Sequence, residues 1–103
     1  MALTRNFKET IKARAEHDLE FRKALLVEAV DLLLEGDVET GKAVLRNYIN
    51  ATIGFEKLAK EVNSPSKSLM RMLSAKGNPR ADNLFSVISH LQKATGVHLA
   101  VGA

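Results

Sequence analysis

The chain contains no cysteine, which excludes a disulfide framework and any thiolate metal site. That suits a reducing compartment, and a cytoplasmic location is expected. No apolar run approaches the roughly 20 residues of a membrane span, so no membrane partner is expected. Residues 1–12 alternate charged and apolar side chains and lack the continuous apolar stretch of a secretory signal. Glycine-rich phosphate loops, nucleophile elbows and paired-carboxylate clusters are missing as well. His17, His90 and His98 lie far apart, with no histidine or carboxylate at ligand spacing. Asp31 and Glu35 share a helix face, as many solvated acids do. These absences predict a protein that is not an enzyme and holds neither metal nor cofactor.

What is present is one domain's worth of chain, 103 residues with an ordinary 46% hydrophobic content, enough for a small core. The net charge of +3 is unevenly distributed. Residues 55–80 hold Lys57, Lys60, Lys67, Arg71, Lys76 and Arg80 against Glu56 and Glu61, an excess of +4. Residues 1–36 carry −1, and residues 37–54 and 81–103 are each neutral. A local basic excess in a small domain suggests an anionic partner. Charge alone fits a solvated basic face equally well.

Every long periodic stretch has helical spacing. Phe7, Ile11 and Ala15 suggest a short N-terminal helix capped by Asn6. Asp18 is placed to cap a second helix over 19–35 that stops at Gly36. Asp37 is placed to start a third, carrying Val38, Val44, Leu45, Tyr48, Ile49 and Ile53 inward and ending near Gly54. Phe55, Leu58, Ala59 and Val62 line one side of a short fourth helix. Ser64-Pro65 opens a fifth, over 65–74, with serine at the cap and proline at the first helical position. Gly77-Asn78-Pro79 reads as a turn. A sixth helix follows over 80–95, with Leu84, Phe85, Ile88 and Leu91 inward, and Gly96 ends it.

Two segments raise the question of a partner. The second helix is apolar around much of its circumference, with Leu26, Val30 and Leu33 in its stripe. Either the N-terminal helix of the same chain or another chain covers it. The tail alternates strictly, placing Val97, Leu99 and Val101 on one side, which is a strand signal. It pairs with a second copy, pairs with a partner protein, or stays irregular. Leu26, Val30, Leu33, Val97, Leu99 and Val101 are therefore the candidate dimer or partner interface. By the same division, residues 1–36 form a helical extension and residues 37–103 a nucleic-acid-binding unit, the whole being compact.

Two short helices joined by a tight turn at 55–74 match helix-turn-helix geometry, in which the second helix enters the major groove of duplex DNA. Ala59 supplies the small residue where the helices cross, Leu69, Met72 and Leu73 return to the core, and Asn63 tolerates left-handed backbone. The outward stripe is then Ser66, Lys67, Met70, Arg71 and Ser74. Lys67 and Arg71 are four residues apart, a like-charge pair that costs an isolated helix a few tenths of a kcal/mol, roughly. An anion nearby relieves that repulsion. Arg71 offers a bidentate fork to guanine, and Lys67 reaches either the same edge or a phosphate. Ser66, Lys67, Met70 and Arg71 are the candidate base readers, although Met70 fits a core position equally well. Ser64, Ser68, Ser74, Lys76, Asn78 and Arg80 are candidate backbone contacts; for Asn78 a purely conformational role in the turn is the simpler reading.

The run from Gly54 to Val101 resembles the Xre-like helix-turn-helix antitoxins of bacterial toxin–antitoxin operons, the addiction module antidote proteins related to HigA. The likeness extends over residues 37–101, and Met-Leu-Ser-x-x-Gly-Asn-Pro, Met72 to Pro79, is its most specific part. It departs from the pattern at Asn63, usually glycine, and at Ser64, often apolar. The resemblance implies an all-α domain of five to six helices containing a lambda-repressor-like helix-turn-helix, with residues 97–101 as a candidate C-terminal strand. It also implies a homodimeric, autoregulatory repressor that binds double-stranded DNA at an inverted repeat, with a RelE/ParE-like toxin protein as a further partner. The longer N-terminal extension bears on that toxin role. The competing reading is a protein-interaction module that binds a partner protein with little affinity for DNA.

Overall fold

Capping aspartates set the starts of two of the longer helices. In the computed structural model, which describes the backbone of residues 5–100 and the side chains of residues 9–15 and 17–100, Asp18 is extended at φ −129° and ψ 100°. Its Oδ1 accepts the Phe21 N–H at 3.1 Å and so starts α2 (Leu19–Leu34). Asp37 accepts the Thr40 N–H at 3.3 Å and starts α3 (Val38–Ala51). Each such cap contributes about 1 kcal/mol. Between them Gly36 adopts φ 92°, and the Asp37 N–H bonds back to the Leu32 carbonyl at 2.9 Å. That left-handed turn closes α2 and opens α3 within three residues.

Among the described residues all regular structure is helical: α1 (Arg5–His17), α2, α3, α4 (Phe55–Val62), α5 (Ser66–Met72) and α6 (Ala81–Thr95). Asn6 lies inside α1 and is not its cap. The core joins Leu26 and Ala29 of α2 to Leu45, Tyr48 and Ile49 of α3, Leu58 of α4, Leu69 of α5 and Leu91 of α6. Leu26 is fully buried in that cluster, so it has no surface to offer a partner, contrary to the sequence expectation. What covers α2 is chiefly α3 of the same chain, with the N-terminal helix α1, named in the sequence expectation, in a lesser part. Arg22 of α2 also donates through Nη1 to the Ala15 carbonyl at 2.7 Å, tying the end of α1 to it.

Three further expectations change. Phe85 is 60% exposed, because the inward stripe of α6 is Leu84, Val87, Ile88 and Leu91 and the next residue round the helix from Leu84 lies about 100° away. Val38, in the first turn of α3, is 41% exposed for want of a neighbour over that turn. The tail forms no strand across 97–100. Gly96 reverses the chain at φ 75°, Val97 is buried in the chain's own core, and the Leu99 N–H is held by Gln92 Oε1 at 2.6 Å. The alternation seen in the sequence is real, but its inner side faces this core. Val97 therefore shares the fate of Leu26 as an interface candidate, and Val101 lies outside the described residues.

Tyr48 is the largest fully buried side chain, and its hydroxyl lies 2.6 Å from Thr95 Oγ1. The Thr95 hydroxyl also lies 2.7 Å from the Leu91 carbonyl, and its single proton can serve either that carbonyl or the phenol oxygen. Burial pushes the phenol above its ordinary value near 10, opposed by the Thr95 hydrogen bond and by the charge of Arg22. A raised folded-state value means the neutral phenol supports folding fully below pH ~10 and the support disappears as pH rises through the folded value. Ultraviolet titration of this single tyrosine should show ionisation later than in a free peptide, with the melting temperature falling as it ionises.

Candidate nucleic-acid interface

The pair α4–α5 is built around one unusual backbone position. Asn63 takes φ 55° and ψ 51°, the one non-glycine residue with positive φ among those described. Asparagine tolerates this conformation better than most residues because its short polar side chain can hydrogen-bond locally and offset part of the steric cost. The chain then turns at Ser64, whose N–H donates to the Ala59 carbonyl at 3.0 Å, and Pro65 is extended at φ −61° and ψ 142°. Pro65 therefore stands at the cap position, one place earlier than expected, and Ser64 makes no capping bond. The seven residues of α5 make about two turns, shorter than the expected 65–74. So short a helix has little dipole to offer a phosphate.

Ala59, 8% exposed, lets the two helices approach, while Leu69 and Leu73 are buried and Met72 packs at the core's edge. With that face inward, Lys67, Ser68, Met70 and Arg71 are exposed. Met70, at 45% exposure, is on the surface and not in the core. Among the described residues no carboxylate pairs with Lys67, Arg71 or Lys76. Ser66 is different: its hydroxyl donates to Glu56 Oε1 at 3.2 Å. Ser74 is also engaged, donating to the Arg71 carbonyl three residues back at 2.7 Å. Arg80 lies 3.5 Å from Asp82 in a pair exposed on both sides, which binds it only weakly.

Beside α5 runs an open groove of about 490 Å³, bounded by the segment 76–80 and the first half of α6. Ser64, Ser68, Arg71, Lys76, Asn78 and Arg80 line it. Six residues selected for type and spacing thus meet on one surface, three of them cationic. Ser66, Lys67, Met70 and Ser74 do not line the groove; Lys67 stands one turn before Arg71 on α5.

The residues the sequence reading missed lie beneath this surface. Lys42, on the inner side of α3, is 1% exposed. Its Nζ donates to the carbonyls of Ser74 at 2.9 Å and Gly77 at 2.6 Å, and lies 3.1 Å from Glu39 Oε1. One turn on, Arg46 Nη1 donates to the Leu73 carbonyl. Two cations thus meet the C-terminal end of α5, where carbonyls lack helical partners. The available signal was a lysine falling in an apolar stripe, between Val38 and Leu45, at a position periodicity assigns to the core.

The candidate interface residues on the other side are mostly half-covered. Val30, Leu33 and Leu99 pack against the core with part of their surface free, and Leu33 fits so closely over Gly41 that a Cβ there would sit 2.8 Å from its side chain. Leu34 and Phe85, neither expected, are 66% and 60% exposed beside them. Among the described residues no cluster of three histidine or acidic side chains could hold a metal ion, and no helix is long and apolar enough to cross a membrane. Compared with known proteins, the chain matches no family model, no curated protein and no solved structure.

Proposed function

We propose that the protein is a sequence-specific binder of double-stranded DNA, with α4 and α5 acting as a lambda-repressor-like helix-turn-helix. The observation that carries this reading is the meeting of Arg71, Lys76 and Arg80 along one groove, beside an exposed helix face bearing Lys67, Met70 and Arg71. In this reading α5 enters the major groove. Arg71 takes guanine O6 and N7 in a bidentate pair, Met70 meets a thymine methyl, and Lys67 reaches base or phosphate. The groove beside it receives the sugar–phosphate strand, with Ser64, Ser68, Lys76, Asn78 and Arg80 as contacts that position the protein without reading sequence. Ser66 joins the base readers once its hydroxyl leaves Glu56, and Ser74 stays with its own backbone.

A two-fold dimer would set two α5 helices on half-sites about 34 Å apart, and the exposed Leu34 and Phe85 with the half-covered Val30 and Leu99 are the apolar surface available to it. The narrower role, a cytoplasmic repressor of its own operon that also binds a small toxin, is supported by the family resemblance of residues 72–79. The same apolar surface supports the second reading, a protein-interaction module, in which DNA affinity is absent. Footprinting on the DNA upstream of the protein's own gene tests these together. Protection of an inverted repeat, weakening steeply as salt is raised, is expected; no protection at low salt would falsify the DNA-binding reading.

A further inference from the structure

We infer that Lys42 is a positioning residue for the groove: its buried ammonium holds the segment from Ser74 to Gly77 in the shape that sets Lys76 and Arg80 against a nucleic-acid backbone. The inference rests on the DNA-binding reading and adds a residue far from the surface to it.

An ammonium has three N–H donors, and all three have partners here: two backbone carbonyls and one carboxylate. Burying an unpaired charge is costly, so the head group is held by these partners as firmly as it holds them. Among the described residues, Lys42 is the one donor from another element that reaches the backbone of residues 74–79. Within the segment, the Gly77 N–H bonds to the Ser74 carbonyl at 3.0 Å, which closes the turn but does not fix where it lies. Lys42 supplies that placement, because it grips both ends of the turn from α3. The segment is also drawn tightly back over α5: a Cβ on Gly77 would collide with the carbonyl oxygens of Arg71 and Met72. Lys76 lies inside the gripped turn, and Arg80 follows it by four residues with Pro79 between. A hydrophobic side chain at position 42 would fill the same space, yet would leave the two carbonyls without their donor.

The test measures binding of each variant to a mixed-sequence duplex about two helical turns long, across a series of salt concentrations and below each variant's melting transition. Lys42→Met keeps the length and apolar stem of the side chain and removes the ammonium. Its affinity at low salt is expected to fall at least tenfold. The slope of log affinity against log salt should shrink by about two units, one each for Lys76 and Arg80. Lys76→Ala should weaken the wild type but add nothing in the Lys42→Met background, since the contact is already lost. A residue that only stabilises the fold would lower the melting temperature and leave slope and additivity as they were. Gly77→Ala displaces the same turn while leaving Lys42 and every charge in place, and should reproduce the smaller slope; it decides the question if Lys42→Met does not fold. Wild-type slope in folded Lys42→Met, or in Gly77→Ala, overturns the inference. If the wild type itself shows no salt-dependent affinity for the duplex, the DNA-binding reading fails first, and this inference with it.

Discussion

Arg71→Ala is expected to weaken binding to the specific operator by about 1–3 kcal/mol, up to a hundredfold or so in affinity. The loss should be confined to one base pair of each half-site: a change of that pair in the DNA should weaken the wild type and leave the variant indifferent. The reason is geometric. Arg71 is exposed on the outer face of α5 with no carboxylate to compete for it, and its rigid planar fork matches both acceptors of a guanine edge more closely than the flexible point charge of a lysine does. Arg71→Lys should therefore restore the charge and the salt dependence without restoring discrimination. Lys67→Ala should behave differently, lowering affinity for all sequences alike and reducing the salt slope by about one unit. Competition gel shifts with operator and scrambled duplexes separate the two patterns. Unchanged operator binding by the double variant of Lys67 and Arg71 would remove α5 from the interface.

The second large effect is on stability. Leu58→Ala should destabilise the protein by about 2–5 kcal/mol, a substantial part of the roughly 5–15 kcal/mol that holds a domain of this kind together. Leu58 is fully buried at the centre of α4, in one cluster with Leu45, Ile49, Leu69 and Leu91. Removing it opens a cavity where α4 meets α3, α5 and α6, and neighbours on three other helices cannot close it together. Urea denaturation followed by circular dichroism measures the change, with the denaturant slope unaltered if both states keep their exposure. A loss below about 1 kcal/mol would mean that α4 is not packed as described. Because α5 is held against the core through α4, DNA binding should survive this substitution only where the variant remains folded.

The interface and the core are linked by the two cations of α3. Lys42 and Arg46 face the end of α5 from below, while Lys76 and Arg80 face outward from the segment that follows. The four basic side chains are alike in charge and opposite in use. Those below are spent on backbone carbonyls and contribute shape. Those above have solvent around them and are the charges that the proposed DNA binding would use.

Features governed by residues three or four apart were legible in the sequence. Asp18 and Asp37 cap the helices that follow them, Gly36 takes the left-handed turn, and Asn63 does so without being glycine. Each depends on a local hydrogen bond or a local steric limit, and the chain carries both wherever it goes. The span of α4 followed from apolar spacing for the same reason. The outward side of α5 was legible too, since fixing Leu69 and Leu73 inward fixes Lys67 and Arg71 outward by helical geometry.

Tertiary structure decided whatever depends on which neighbour arrives. Nothing near Phe85 in the chain says that α6 is rotated to leave it in solvent, and nothing near Val97 says that the tail folds onto its own core. Lys42 meets carbonyls 32 and 35 residues away, so helical spacing could place it inward but could not say which acceptors it would meet. The tail's alternation fits a sheet edge and a core edge equally, because a period of two reports which side is apolar and not what covers it. The sequence by itself determined the helices, the aspartate caps of α2 and α3 and the charge on the exposed side of α5. The packing of α3 beneath the turn after α5 determined that Arg71, Lys76 and Arg80 line a single groove, because their relative placement depends on long-range contacts that no local propensity encodes.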